Sequence, residues 1–177
     1  MDILELAKQY HTLERVDGTG DTFRRRARIL QSMWREEQGF ASGTHRGRPL
    51  GSRLPMPWAE QTLANYMSPT IQRVVRDEVL GSTERGRLFG RPRIFDDLLS
   101  SQPLCFNLFG ELQRDLDACT AVMSEMTAGR IRRVTRLGFE YSPGRGDPNY
   151  TGDRSAFDVY LEYDGADGTR GFVGIEV

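Results

Sequence analysis

Asp158 and Glu176 are the two residues of this sequence whose types and spacing best fit a chemical role. Each lies in a run of alternating apolar and polar residues, and a Gly/Asp-rich segment, residues 165–169, separates the two runs. Side chains alternate between the faces of a strand, so both acids are predicted to lie opposite the aliphatic rows of their strands. If residues 165–169 form the hairpin loop, the two Cβ atoms lie about 5 Å apart. Carboxylates this close repel each other, and a divalent cation between them removes the repulsion.

Three strands are predicted to position these acids. Residues 133–141 alternate as the first strand, and the other two form the hairpin described above. In the first strand the alternation places Glu140 on the face opposite to Leu137, Phe139 and Tyr141, which makes Glu140 an additional acidic candidate. In the hairpin, one face is predicted to carry Phe157, Val159, Leu161 and Tyr163, and the other Asp158, Tyr160 and Glu162; the returning strand should place Val173, Ile175 and Val177 opposite Phe172, Gly174 and Glu176.

The surrounding sequence resembles a known family. Segments 100–110 and 141–154, together with Phe-Asp-Val at 157–159 and Gly-Ile-Glu-Val at 174–177, resemble a bacterial, restriction-endonuclease-like group of the PD-(D/E)XK nuclease superfamily. The resemblance covers residues 94–177 and, more loosely, residues 46–54. It implies a metal-dependent endonuclease that hydrolyses DNA phosphodiester bonds with Mg²⁺ or Mn²⁺.

The resemblance also implies roles for individual residues. Asp158, Glu176 and the carbonyl of Val177 would hold the metal, and Glu111, on the helix before the sheet, would help hold metal-bound water. Family members continue after Glu-Val with a catalytic lysine, whereas this sequence ends at Val177 and its only lysine is Lys8. We therefore expect a chain truncated before the lysine and inactive as it stands. The secondary candidates are Gln102, Asn107, Glu140, Asp153 and Arg154.

Two other classes of protein stay open at this point. The acids of the hairpin could form a solvated polar face of a non-catalytic DNA-binding or interaction module that keeps the nuclease fold. Alternatively, they could act as acid and base in an unrelated enzyme, since retaining glycosidases hold two carboxyls about 5–5.5 Å apart. A cleft lined with aromatic rather than arginine side chains would favour the glycosidase.

The charge distribution suggests DNA as the partner without requiring it. The net charge is −1, yet residues 1–100 carry 16 basic and 13 acidic residues and residues 101–177 carry 8 and 12. Positive charge concentrates in two Gly/Pro-containing segments, 45–53 and 85–93. Flexible Arg-Gly loops can follow a phosphate backbone, although solvated linkers have the same composition. The candidate DNA-binding residues are Arg46, Arg48, Arg53, Arg91 and Arg93.

The rest of the sequence predicts an α+β protein with its helices first. Helices are predicted over 2–15, 22–38, 58–67 and 68–80, and a longer one from about Gln102 with Leu104, Leu108, Leu112 and Leu116 along one face. We divide the chain into a helical N-terminal region, 1–93, and a restriction-endonuclease-like αβββ core, 94–177, incomplete at its C-terminus.

Bulk properties indicate a cytoplasmic protein with no membrane association. Acids follow Met1 where a signal peptide would carry basic charge, and no apolar run approaches the roughly 18 residues of a membrane helix. Cys105 and Cys119 lie on one predicted helix without neighbouring Cys or His, which predicts reduced, buried thiols. A homodimer is possible, and the sequence leaves cleavage specificity open.

Overall fold

The computed structural model describes residues 2–12, 22–81, 88–142, 147–149 and 155–177. The chain divides into two compact units. The N-terminal unit comprises residues 1–65 and 91–103, and the C-terminal unit comprises residues 66–90 and 104–177. Each unit draws residues from both sides of position 93, and the division at 93/94 stays a prediction. The predicted α+β class is confirmed, because helices precede an antiparallel sheet.

The N-terminal unit contains short helices and one small hairpin. The helix predicted over 2–15 ends early, because His11 adopts a left-handed backbone with φ 56°. The helix predicted over 58–67 is likewise shorter and ends at Thr62, because the next residue, Leu63, has a φ of 54°. The elements of the N-terminal unit are α1 (Ile3–Gln9), α2 (Thr22–Glu37), β1 (Gly43–His45), β2 (Arg48–Leu50), α3 (Trp58–Thr62) and α5 (Arg93–Asp96).

The C-terminal unit contains the sheet and the helices packed on it. Its first helix begins as predicted, with the Ser68 side chain accepting the N–H of Ile71 and Pro69 in the first turn. The elements of the C-terminal unit are α4 (Pro69–Val75), a π-helical turn (Arg76–Leu80), α6 (Ser101–Arg114), α7 (Leu116–Met126), β3 (Ile131–Tyr141), β4 (Phe157–Gly165) and β5 (Arg170–Ile175). The first three residues of α6 belong to the N-terminal unit, and the C-terminal unit includes α6 from Leu104 onward.

The three-stranded sheet has the order β3-β4-β5, and all its pairs are antiparallel. One face packs against α6, where the Phe106 ring stacks on Phe139 with centroids 4.0 Å apart. Val159 and Leu161 are fully buried on the same face. Their burial anchors the middle of β4, from which the acids at the end of the sheet are positioned.

The leucine row predicted along one face of α6 is not the buried face of this helix. Leu104 is 46% exposed and Leu108 is 54% exposed, whereas Cys105 and Phe106 on the opposite side are buried. The spacing of the leucines by four residues correctly predicted a helix. The side chains on its buried face, however, are aromatic and small ones. The sequence could not distinguish the two faces, because both carry apolar residues.

The two cysteines lie on separate helices, contrary to the single helix predicted. Asp115 interrupts the helix and its carboxylate accepts the N–H of Ala118, so it caps the start of α7. Cys105 and Cys119 are both free and buried, as predicted. Within the described ranges, no helix combines the length and apolar character needed to cross a bilayer.

Candidate functional site

The β4-β5 hairpin has the predicted register. Asp164 pairs with Arg170 and Val159 pairs with Ile175. The loop closes where predicted, with the N–H of Gly165 donating to the carbonyl of Thr169. The register ends at the pair of Val159 and Ile175, and its continuation by one position would set Asp158 opposite Glu176, one residue beyond the end of β5. The role of the two acids stays a prediction.

A hydrogen bond joins the two chain segments at this end of the hairpin. The N–H of Val177 donates to Asp158 Oδ2 over 2.9 Å. Asp158 is half-buried and Glu176 is exposed. The bond fixes the Asp158 carboxylate beside the backbone that follows Glu176, and the remaining carboxylate oxygens stay available to a ligand from solvent.

The pKa of the buried Cys105 thiol in α6 responds to acids in and next to the sheet. The pKa of Cys105 is raised to about 12, first by burial and then by the negative charges of Asp158, Glu140 and Glu176.

Glu140 is the unusual member of this group. It lies in β3, is 7% exposed, and has a positive φ of 48°, which a non-glycine residue rarely adopts. The positive φ interrupts the alternation: Phe139 packs on Phe106, whereas the ring of Tyr141 packs against Tyr160 with centroids 4.7 Å apart. The prediction that Tyr141 shares a face with Phe139 is therefore wrong.

Phe157 departs from its predicted face in the same way. Its ring lies 6.4 Å from the ring of Tyr160 rather than with Val159 and Leu161. A Cβ atom at Gly174 would overlap the Phe157 ring, so a glycine is required where β5 passes beneath it. Tyr141 and Phe157 are paired in the β3-β4 register, and both turn toward the face of Tyr160.

This face carries a group of aromatic side chains that the sequence pattern did not reveal. We call Tyr141, Phe157, Tyr160 and Phe172 the aromatic cluster. Phe172 is 57% exposed and lies 5.5 Å from Tyr160, with ring planes 28° apart. The predicted pairing already placed Tyr160 and Phe172 on one face, and that signal could have identified half of the cluster.

The donor set at the hairpin end matches a hard divalent cation. Asp158, Glu176 and the carbonyl of Val177 offer only oxygen atoms, which Mg²⁺ and Mn²⁺ prefer. Mg²⁺ is commonly held by one or two carboxylates, with water and substrate phosphates completing the shell. Within the part of the chain that the structure describes, no group of three or more His, Cys, Asp or Glu side chains is arranged to hold a metal ion. The fit to a cation therefore rests on the chemistry of these oxygen donors alone.

Glu111 and Asn107 have structural contacts on the outside of α6. The carboxylate of Glu111 accepts a hydrogen bond from the Ser68 hydroxyl, and Asn107 Oδ1 accepts the N–H of Met67 over 3.0 Å. Both side chains therefore hold the segment that begins α4. Their predicted catalytic and supporting roles stay predictions, and the contacts supply an alternative reason for both residues.

The remaining secondary candidates lie elsewhere or outside the description. Gln102 is fully buried in the first turn of α6 and belongs to the N-terminal unit. Asp153 and Arg154 lie outside the described residues, as do Arg85 and Arg87 of the second basic segment.

The first basic segment is a β-hairpin rather than a flexible loop. His45 pairs with Arg48, and the two residues between them, Arg46 and Gly47, have φ values of 51° and 78°. Two successive positive φ values define a tight turn whose twist matches that of the flanking strands. Arg46 at the tip and Arg48 beside it are exposed. The hairpin therefore presents two guanidinium groups on a defined backbone.

Arg53 is different, because its side chain is committed to buried acids. It is 6% exposed and lies 2.6 Å from Asp96 Oδ1 and 2.8 Å from Asp97 Oδ2. Arg28 extends the network with a 3.1 Å contact to Asp97. These contacts give Arg53 a structural role, and its predicted contact with DNA stays a prediction.

The two remaining arginines of the predicted set are exposed. Arg91 is paired with Glu60 over 3.2 Å, and its guanidinium lies 5.4 Å from the centroid of the Phe95 ring. Arg93 begins α5 and faces solvent. Arg91 and Arg93 can therefore meet a phosphate, although Arg91 would exchange its present carboxylate partner.

The comparison with protein families identifies the class of protein. The profile of the PD-(D/E)XK nuclease superfamily matches residues 18–177. The chain therefore belongs to this superfamily, as the sequence around Asp158 and Glu176 predicted. No curated protein and no solved structure matches the chain significantly. Nucleases of this superfamily generally use divalent metal ions and act on DNA.

Proposed function

We propose that this protein is a metal-dependent DNA endonuclease, or an inactive relative of one, and that Asp158 and Glu176 are its metal ligands. The observation that supports the proposal most directly is the hairpin register, which sets these two acids at one end of the sheet in a chain of nuclease ancestry. A cytoplasmic location and a bacterial source stay predictions of the sequence, and the homodimer considered there is not supported.

The proposed chemistry assigns simple tasks to the residues at the hairpin end. Asp158 and Glu176 would bind Mg²⁺ together with the carbonyl of Val177. When bound, the ion would polarise the scissile phosphate and lower the pKa of an attacking water. The hydrogen bond from Val177 N–H keeps the Asp158 carboxylate oriented toward this backbone. Orientation of this kind matters because a ligand held in place loses less entropy on binding.

The charge that develops on phosphorus has no lysine to offset it in residues 1–177. Lys8 is the only lysine of the sequence and lies in α1 of the N-terminal unit. An arginine can supply positive charge but stays protonated near neutral pH, so it cannot exchange a proton with the attacking water. Single preorganised groups of this kind contribute about 3–4 kcal/mol to catalysis. We therefore expect little or no nicking of plasmid DNA by this polypeptide.

A non-catalytic DNA-binding module is the second candidate function. The observation that favours it is the ordered hairpin, which presents Arg46 and Arg48 to solvent independently of any metal. The two candidates differ in their requirement for the cation, and a metal titration separates them.

The first prediction concerns metal binding. Isothermal titration of the full chain with Mn²⁺ should show one site, and Asp158→Asn or Glu176→Gln should reduce the affinity by at least tenfold. Each substitution removes a charged ligand but keeps the side-chain volume. Glu125→Gln provides the matched control, since Glu125 is an exposed acid on α7.

Binding that is the same in Asp158→Asn as in the unmodified chain would overturn the assignment. Loss of affinity in Glu125→Gln as well would indicate nonspecific attraction to acidic surface. If Mn²⁺ binds and plasmid is cut, the missing lysine is dispensable. If Mn²⁺ does not bind and DNA still does, the second candidate function is the correct one.

A further inference from the structure

The β1-β2 hairpin of the N-terminal unit ends in a single charged side chain. Its turn consists of Arg46 and Gly47, and the strands pair up to His45 and Arg48 on either side of the turn. Gly47 has no side chain, and a Cβ atom placed there would meet nothing within 4 Å. Arg46 is exposed and forms no ion pair with any described residue. The tip therefore carries one guanidinium group with open space beside it.

The base of the same hairpin is held by the rest of the N-terminal unit. The N–H of Gly43 donates to the carbonyl of Arg53 over 2.7 Å, and Arg35 Nε–H donates to the carbonyl of Gly51 over 2.8 Å. A Cβ atom at Gly43 would lie 2.2 Å from the carbonyl oxygen of Leu54, so the two backbones pack closely there. Because its base is fixed in this way, the tip loses little conformational entropy when it binds a partner.

The outer edge of β2 is unsuited to a further protein strand. Pro49 lies in the middle of β2 and pairs with Thr44. His45 and Arg48 close a two-residue turn, so the alternation of pair types directs the backbone nitrogen of Pro49 away from β1. Proline has no N–H, and β2 therefore lacks a donor where an added strand would need one. A partner that binds this side by strand addition is disfavoured.

The charge at the tip matches a polyanion, and the superfamily acts on DNA. Arg46 and Arg48 supply this charge, because burial and then the positive charges of Arg53 and Arg46 lower the pKa of His45. The minor groove of B-DNA is about 6 Å wide, which admits an extended arginine side chain but not a pair of strands. A·T-rich minor grooves are narrow, and their strong negative potential attracts inserted arginine.

We propose that the hairpin inserts the Arg46 side chain into the minor groove of duplex DNA, which makes Arg46 a specificity-determining residue for A·T-rich sites. This inference rests on the proposed function for its partner, and it adds a sequence preference. The missing side chain of Gly47 lets the tip approach the groove closely. Arg48, beside the tip, contacts a flanking phosphate. A phosphate contact carries no sequence information, whereas an arginine in the groove responds to its width and to the guanine amino group.

Fluorescence anisotropy of the full chain in EDTA, where metal-dependent cutting cannot occur, tests the proposal with three labelled duplexes of equal length. They contain A·T, G·C or inosine·cytosine pairs. Inosine lacks the guanine amino group, so its pair presents an A·T-like minor groove and a G·C-like major groove. The unmodified chain should bind the A·T and inosine·cytosine duplexes at least about fivefold more tightly than the G·C duplex, the lower limit for one unsuitable base pair.

Three variants assign this preference to one side chain. Arg46→Asn should abolish it and leave the hairpin folded, because Asn-Gly is a favoured sequence for this type of turn. Arg46→Lys should also lose most of it, since an ammonium group keeps the charge but is more strongly hydrated than a guanidinium group. Arg48→Ser is the matched control in the same hairpin, and it should weaken binding to all three duplexes by the same factor.

Equal affinity of the unmodified chain for the three duplexes would overturn the proposal, and so would a preference that Arg46→Asn retains. If the inosine·cytosine duplex binds as weakly as the G·C duplex, the preference arises in the major groove and the proposal is wrong. Absence of binding to every duplex would overturn it and would also remove duplex DNA as the partner. Failure of the Mn²⁺ titration would leave these affinities in EDTA unaffected, so the metal site and the groove contact can fail separately.

Discussion

The N-terminal and C-terminal units differ in whether the charged residues discussed above are paired. In the N-terminal unit, Arg28 and Arg53 are buried against Asp96 and Asp97, so positive and negative charges neutralise each other within the fold. In the C-terminal unit, Asp158 lies near the start of β4 and accepts a hydrogen bond from Val177 N–H, and neither Asp158 nor Glu176 forms an ion pair with any described residue.

The physical cost of each arrangement accounts for the difference. A buried charge without a partner costs several kcal/mol, so Arg53 is stable only with its acids in place. The pKa of Asp96 is nevertheless raised, because burial outweighs the stabilising charge of Arg53. Acids that keep contact with solvent have a smaller desolvation cost and can remain unpaired. In this protein the buried, paired charges stabilise the fold, whereas the unpaired acids near the start of β4 and after β5 remain accessible to a ligand.

The largest effect should come from breaking the buried network. Arg53→Ala should lower the free energy of unfolding by about 3–5 kcal/mol, because it leaves Asp96 and Asp97 without their main partner. Arg48→Ala should change it by no more than about 0.5 kcal/mol, as for most exposed positions. Urea denaturation followed by tryptophan fluorescence measures both. Equal losses in the two variants would remove the distinction between structural and exposed arginines.

A smaller effect should appear at alkaline pH through Cys105. Its folded pKa of about 12 lies above the usual value near 8.5, so the folded state holds the thiol proton more tightly than the unfolded state. The stabilisation is therefore complete below about pH 8.5 and decreases by about 1.4 kcal/mol per pH unit above it, until pH 12 is reached.

Comparison with Cys105→Ala isolates this contribution, because Cys119 and the tyrosines titrate in both proteins. Urea denaturation at pH 8, 9 and 10 should show a steeper loss of stability for the unmodified chain than for the variant. Parallel losses would contradict the raised pKa of this buried thiol.

The smallest expected effect concerns the β1-β2 hairpin. Replacing Arg46 and Arg48 together by Ser should reduce the slope of log affinity for duplex DNA against log salt by up to about 1.8, since each phosphate contact contributes about 0.9. Arg114→Ser is the control, because Arg114 pairs with Asp77 on the surface of the C-terminal unit. If the double replacement leaves the slope unchanged, the hairpin has no role in DNA binding.

Local patterns predicted the β4-β5 hairpin well. Strict alternation and a Gly/Asp-rich turn specify a register, and the observed pairs from Asp164–Arg170 to Val159–Ile175 follow that register. The start of α4 was equally accessible, because Ser68 and Pro69 have capping preferences that depend on nearby backbone only. These features involve residues close in sequence, or paired through a short loop.

Features that depend on distant residues were not predictable. Arg53 resembles Arg46 and Arg48 in the sequence, and only its contact with Asp96, 43 residues away, reveals its role. The positive φ of Glu140 and the turned ring of Phe157 arise from packing among three strands, so alternation could not anticipate them. The buried face of α6 likewise depended on which apolar side met Phe139.

The two buried cysteines give this protein a pair of internal reporters of local opening. Cys105 in α6 and Cys119 in α7 are 1% and 0% exposed, so a thiol reagent reaches each one only when its helix opens. The rates of modification of the two thiols measure the opening free energies of these helices separately. A cysteine introduced at an exposed position such as Met126 reacts without any opening, which permits selective attachment of a spectroscopic label while the native thiols stay protected.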